Sequence, residues 1–111
     1  MLEGLASTRA IRRYQNQDIP EHHLGDILWM ATRAPSGSNR QPFRFIVLTK
    51  GEKAKAAKAL IGNAARAIWT QKSVNDQYDT GSGSDPKSPK SRMARTMNSY
   101  VENFDSVPCL V

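Results

Sequence analysis

A single cysteine, Cys109, leaves this chain without any intrachain disulfide. Whatever fold forms must hold by packing and hydrogen bonds, and such cysteine usage is compatible with a reducing compartment. No apolar run approaches the roughly 20 residues that span a bilayer. The N-terminus, with Glu3 among mixed small residues, shows no charged-then-apolar signal pattern. The expectation is a cytoplasmic protein with no membrane partner. No Gly-rich phosphate loop of the Walker type is present, and Ser36-Gly37-Ser38 lacks the elbow context of a hydrolase nucleophile. His22 and His23 are adjacent, which on a helix points them about 100° apart. They are poor joint ligands, and no metal site is expected. Cys109 sits in an apolar segment and reads as a small hydrophobe rather than a nucleophile. No internal repeat is visible.

Acidic residues are also scarce: 10 against 16 basic ones, for a net charge of +6. That balance suits an anionic partner, whether nucleic acid, a membrane surface or a phosphorylated cofactor. The basic residues fall into groups at Arg9, Arg12 and Arg13, at Lys50 to Lys58, and at Lys87 to Arg95. They form no unbroken run and no aromatic-studded face, which argues against a nucleic-acid partner. The two later groups read as solvated surface.

What remains is enough for one small domain over residues 1–111 with a modest core, at 39% hydrophobic residues. Leu2 to about Ala10 allows a short helix, weakened by Gly4. Ile11 to Pro20 reads as extended or turn-like, because the residue before a proline is pushed out of the helical region. Leu24, Ile27, Leu28 and Ala31 recur at helical spacing after Pro20, and Pro35 and Gly37 should end that helix near Ala34. Pro42–Thr49, with Phe43 and the run Phe45 to Leu48, reads as a strand covered on both faces. Gly51–Gly62 and Ala64 to about Lys72 read as helices. Residues 79–91, rich in Gly, Ser and Pro, predict a mobile loop. Met93–Phe104 is helical, with Met93, Met97, Tyr100, Val101 and Phe104 on one face. Val107–Val111 resembles the opening of a strand, which suggests that the sequence stops inside a larger domain.

Two segments carry polar chemistry. The loop Pro35–Gln41 offers the short hydrogen-bonding side chains Ser36, Ser38, Asn39 and Gln41, and Gly37 lets a ligand approach the backbone. A flat heteroaromatic ring suits such a loop; a polar connection that caps the preceding helix is the plainer alternative. In Thr8-Arg9-Ala10-Ile11-Arg12-Arg13-Tyr14, Arg9 and Arg12 share a face on a helical turn but not in an extended chain. Two guanidinium groups hold a phosphate well, and an arginine beside a flavin stabilises charge that develops on reduction. An isolated Arg-x-x-Arg-Arg is otherwise an ordinary basic surface.

Together, in this order and spacing, the arginine-rich segment, the following helix and Ala34-Pro35-Ser36-Gly37-Ser38-Asn39-Arg40-Gln41-Pro42-Phe43 running into a strand resemble the N-terminal portion of the nitroreductase family of FMN-dependent enzymes. The resemblance implies an α+β, nitroreductase-like fold, with helices packed on a central mixed or antiparallel sheet and the C-terminal part missing. It implies FMN as cofactor and NAD(P)H, NADH or NADPH, as co-substrate. Hydride would pass through the flavin to a small-molecule acceptor such as a nitroaromatic or quinone, in a homodimer with flavin at the subunit interface. Arg9 would lie near the FMN phosphate and ribityl chain, and Arg12 at the pyrimidine edge of the ring. Pro35, Ser36 and Gly37 would line the flavin, with Asn39 and Gln41 shaping the site.

Thr8 and Ala10 depart from the family's arginine and serine, a loss of about 1–3 kcal/mol each if uncompensated. At Ala10 the backbone amide is left to contribute. Phe43 replaces a usual tryptophan. No side chain is assigned an acid–base role. The alternatives are a truncated, inactive or weakly flavin-binding fragment, and a basic nucleic-acid-binding or adaptor module.

Overall fold

Helix formers fill the middle of the chain, and the longest element follows from them. The computed structural model describes residues 2–111. It contains α1 (Leu2–Ser7), α2 (Glu21–Ala31), α3 (Glu52–Asn75) and α4 (Pro89–Glu102). Short 3-10 turns occupy Gly37–Asn39, Gly81–Ser84 and Phe104–Ser106. Gly51, at φ 93°, turns the chain into α3 in a conformation that a side chain would strain. The two helices expected around Gly62-Asn63 are one. Gly62 does not interrupt α3 because it faces the turn after α4, where a Cβ would overlap the Asp105 carboxylate. The glycine is there for close approach.

Helix α4 begins at Pro89, ahead of Met93, because Ser88 caps it. The Ser88 hydroxyl accepts a hydrogen bond from the Ser91 amide at 3.0 Å, and Pro89 supplies a preset first turn. Before it, the 79–91 segment holds the Gly81–Ser84 turn, packed against α4. Helix α4 then runs back along α3. Trp69 Nε1 donates to Asn98 Oδ1 at 2.6 Å, and Arg66 Nη1 donates to the Val101 carbonyl at 3.0 Å. Arg66 also pairs with Asp105 at 3.4 Å. As positions fall along α3 from 69 to 62, their partners rise from 98 to 105, the signature of an antiparallel pair. The core lies here: Ala54, Trp69, Val101, Phe104 and Val107 are its buried apolar residues. Of the apolar face expected on the last helix, Val101 and Phe104 are buried while Met93, Met97 and Tyr100 are half-buried.

The sheet expected of an α+β fold is not formed. Among the described residues the one β pairing is an isolated antiparallel bridge between Leu48 and Leu110, closed by two backbone hydrogen bonds of 2.8 and 3.0 Å. Phe43 to Thr49 is irregular, and its apolar run is not covered: Ile46 is 75% exposed. Lys58 accounts for one end of this short pairing. This side chain is only 5% exposed, and its ammonium donates to the carbonyls of Thr49 at 2.7 Å, Val107 at 2.8 Å and Pro108 at 3.2 Å. Carbonyls of both segments at one end of the bridge are thereby drawn to an ammonium, and Pro108 has no amide to give. The ladder does not extend past the bridge at that end.

The first half of the chain packs loosely. Helix α2 buries none of its residues, and Ile27, Trp29 and Met30 point outward. Its Leu24 and Leu28 are half-buried, on the wall of an open groove of about 650 Å³ shared with Val47 and Pro108. The radius of gyration is 17.5 Å, against about 13 Å for a compact domain of this length.

Candidate functional site

The arginine segment leaves α1 and does not continue as helix. Residues 8–15 have no regular secondary structure, so the helical turn that would align Arg9 with Arg12 is absent. A different local constraint bends the chain: the Tyr14 hydroxyl donates to the Ile11 carbonyl at 3.1 Å. This curl presents Arg12 and Arg13 together to a cleft of about 320 Å³, which is also lined by Tyr100 of α4 and by Asn103 just past its end. Arg12 is half-buried, while Arg9 and Ala10 are exposed. Among the described residues no carboxylate pairs with Arg9, Arg12 or Arg13.

The loop after α2 is held in an unusual shape. Successive backbone hydrogen bonds from the Thr32, Arg33 and Ala34 amides unwind the end of α2 into Pro35. Ser38, Asn39 and Gln41 then adopt φ of 52°, 52° and 48°, the left-handed region that non-glycine residues seldom occupy. The conformation is fixed from within the loop. The Ser36 hydroxyl accepts from the Gln41 amide at 2.9 Å, and Gln41 Nε2 donates to Asn39 Oδ1 at 3.0 Å. Ser36 is half-buried; Pro35, Gly37, Asn39 and Gln41 are exposed. Gly37 needs no special φ, and a Cβ on it would meet nothing within 4 Å. Its backbone therefore faces open space.

The chain thus brings together two sets of residues, Arg12 and Arg13 with α4 and the loop with itself, and leaves Arg9 outside both. Among the described residues no hydrogen bond or ion pair joins Arg9 or Arg12 to Pro35, Ser36, Gly37, Asn39 or Gln41. Tyr100 and Arg13 were not marked by the sequence as a pair in one cleft. The signal was present in the tyrosine three residues after Ile11, a spacing that lets a phenol close a turn onto a backbone carbonyl. Burial raises the Tyr100 phenol above its ordinary 10.0, Tyr14 adds to the shift, and Arg12 opposes it. The hydroxyl is therefore a protonated donor at neutral pH. No cluster of three or more His, Cys, Asp or Glu side chains suited to a metal occurs among the described residues. No described helix is long and apolar enough to cross a membrane.

Comparison with known proteins supplies the context for this geometry. Residues 5–111 match the family model described as the nitroreductase family. An NADH dehydrogenase of Thermus thermophilus is 50% identical over 40 residues, 36% of this chain and 20% of that protein. A 4-nitrobenzoate reductase of Pseudomonas putida is 42% identical over 60 residues, 54% of this chain and 26% of that protein. Another, from Nocardioides sp., is 34% identical over 77 residues, 69% of this chain and 30% of that protein. The chain spans less than a third of the length of these relatives. No solved structure matches it.

Proposed function

The chain belongs to the nitroreductase family, and from that premise we propose that it forms part of an FMN-dependent oxidoreductase that uses NAD(P)H to reduce small acceptors, with nitroaromatics and quinones as the acceptor class. The observation that carries this reading is the family match across residues 5–111, which takes in both the arginine segment and the Pro35–Gln41 loop. The names of the relatives, NADH dehydrogenase and 4-nitrobenzoate reductase, agree with it.

The donor set fits FMN. Arg9 and Arg12 carry guanidiniums without a carboxylate partner among the described residues, suited to a phosphate and to the oxygen-bearing edge of a flavin. Gly37 opens its backbone to a ring, and the left-handed residues Ser38, Asn39 and Gln41 are the kind of strained backbone that gathers at ligand sites. When bound, FMN supplies the hydride relay between nicotinamide and acceptor. In this reading Arg9 holds the phosphate end, with the Ala10 amide beside it. Arg12 stabilises negative charge at the ring edge. Pro35, Ser36 and Gly37 lie against the ring, while Asn39 and Gln41 hold the loop in shape. The arginines and the loop are not joined within one chain, so we assign the facing wall to a second copy in a homodimer.

The test is a titration of FMN with the purified full chain, read by flavin fluorescence and visible absorbance. Saturable quenching is expected, with Arg12→Ala weakening binding about tenfold, the value of one charge-assisted hydrogen bond. FMN left unchanged by a chain whose circular dichroism is helical would sink the reading.

A further inference from the structure

The cleft beneath Arg12 and Arg13 has a chemistry of its own. Its wall holds two guanidiniums and no carboxylate. The nearby Asp105 is already engaged by Arg66. Part of the polar lining is committed to the backbone: Asn103 Nδ2 donates to the Ser99 carbonyl at 2.8 Å and Ser106 Oγ to that of Asn103 at 2.8 Å. Tyr14 spends its hydroxyl on the turn. Among the described residues the side chains of Gln15, Asn16, Ser99 and Tyr100 make no hydrogen bond, and Tyr100 lines the same cleft as both arginines. The Tyr14 and Tyr100 rings lie 6.4 Å apart, tilted by 46°, and Phe104 packs edge-on to Tyr100 at 5.5 Å. Cation, neutral donor and aromatic surface therefore converge on one small space.

Each feature narrows the ligand. Uncompensated guanidiniums select an anion, and their planar forks match a carboxylate. The tilted rings offer faces and edges to a third aromatic ring. The volume, about 320 Å³, is at the small end of ligand pockets and admits one ring rather than a dinucleotide. We propose that the cleft between residues 12–16 and α4 binds a small aromatic carboxylate, with Arg13 pairing its carboxylate, Tyr100 donating a hydrogen bond to it, and the Tyr14 and Tyr100 rings packing against its ring. This goes beyond the flavin reading and does not require it. Arg12 is the residue that the two sites share, and Arg13 is specific to the cleft.

Calorimetric titration of the full chain with benzoate, in the absence of FMN, tests the assignment. Saturable one-to-one binding is expected. Arg13→Gln should weaken it about tenfold and Tyr100→Phe several-fold, with circular dichroism unchanged. Lys87→Gln, which removes the same charge from a distant exposed site, should leave it unaltered. Cyclohexanecarboxylate, with the same charge and no aromatic ring, should bind more weakly than benzoate. Three results would overturn the proposal: no heat beyond dilution, equal binding of the two carboxylates, or displacement of benzoate by inorganic phosphate at equal concentration, which would mark a general anion patch. Competitive displacement of benzoate by FMN would assign the cleft to the flavin and overturn it as well. Failure of FMN to bind at all, with benzoate binding intact, would refute the flavin reading and leave this one standing.

Discussion

Helix α2 in the first half of the chain and helices α3 and α4 in the second are all marked by their sequence, yet only α3 and α4 pack into a core. Helix α2 has a proline-led start and a regular apolar recurrence, and it buries none of its residues. Helices α3 and α4 are more polar, and among the described residues the buried ones lie in these helices, at the Ser88 cap or in the turn after α4. Pattern and capping are enough to set a helix; a core needs two faces that meet. Helix α3 finds such a face because Gly62 lets the chain after α4 approach and because Trp69 reaches Asn98. Helix α2 instead hangs over an open groove.

The sharpest way to expose this difference is to truncate one large apolar side chain in each region. Trp69→Ala should cost about 3–5 kcal/mol and remove most of the cooperative unfolding signal in a urea titration. Ile27→Ala, on the exposed face of α2, should change stability by less than about 0.5 kcal/mol. Equal effects from the two would show that α2 is buried in solution.

The link between the regions is the next target. Lys58→Met keeps the length of the side chain and removes the ammonium from the Thr49, Val107 and Pro108 carbonyls. A loss of about 3 kcal/mol is expected, as buried acceptors lose their donor. Hydrogen exchange at the Leu48 and Leu110 amides should accelerate before that of α3. Uniform acceleration would place the bridge within the core rather than at its margin. A smaller effect comes from Gly62→Ala. Alanine favours the helix by about 1 kcal/mol, but it collides with the Asp105 carboxylate. A net loss of about 1 kcal/mol and a weakened Arg66–Asp105 pair should follow in thermal melts, whereas stabilisation would mean that the turn after α4 moves freely.

The smallest expected effect is on pH. The Tyr100 phenol is raised above 10.0 chiefly by burial. The folded chain holds that proton more tightly than the unfolded one. The associated stability is therefore complete below pH 10 and is lost as pH climbs through the raised value. Lys72 is also raised, from 10.5, by its hydrogen bond to Asp76, and contributes a loss of the same sign at higher pH. Tyr100→Phe should flatten the first part of an alkaline stability profile; an unchanged profile would show the phenol to be solvated.

Much of this architecture was legible in the residues. Pro20 and the spacing of Leu24 to Ala31 mark α2, and the recurrence ending in Val101 and Phe104 marks the packed face of α4. The strands were misread because an apolar run shows that a segment is willing to be covered, without showing what covers it. Phe43 to Leu48 finds a partner at Leu48 alone. Lys58 was invisible because lysine in an Ala- and Lys-rich helix looks like solvent-facing surface, and its burial depends on residues 49, 107 and 108 arriving around it. In the candidate site, the strained backbone at Ser38, Asn39 and Gln41 fits the polar small-residue composition of the loop. The alignment of Arg12 with Arg13 rather than Arg9 required the Tyr14 turn, which acts through a single hydrogen bond.

Lys58 also answers a question raised by the lone cysteine. Its ammonium gathers backbone at residues 49, 107 and 108. That closes long loops and restricts the chain much as a covalent crosslink would. Unlike a disulfide, this crosslink is indifferent to redox conditions. It is also made entirely of main-chain acceptors, so it calls for no particular side-chain chemistry at those positions. These 111 residues, with one thiol among them, have their staple in a residue type that ordinarily faces solvent.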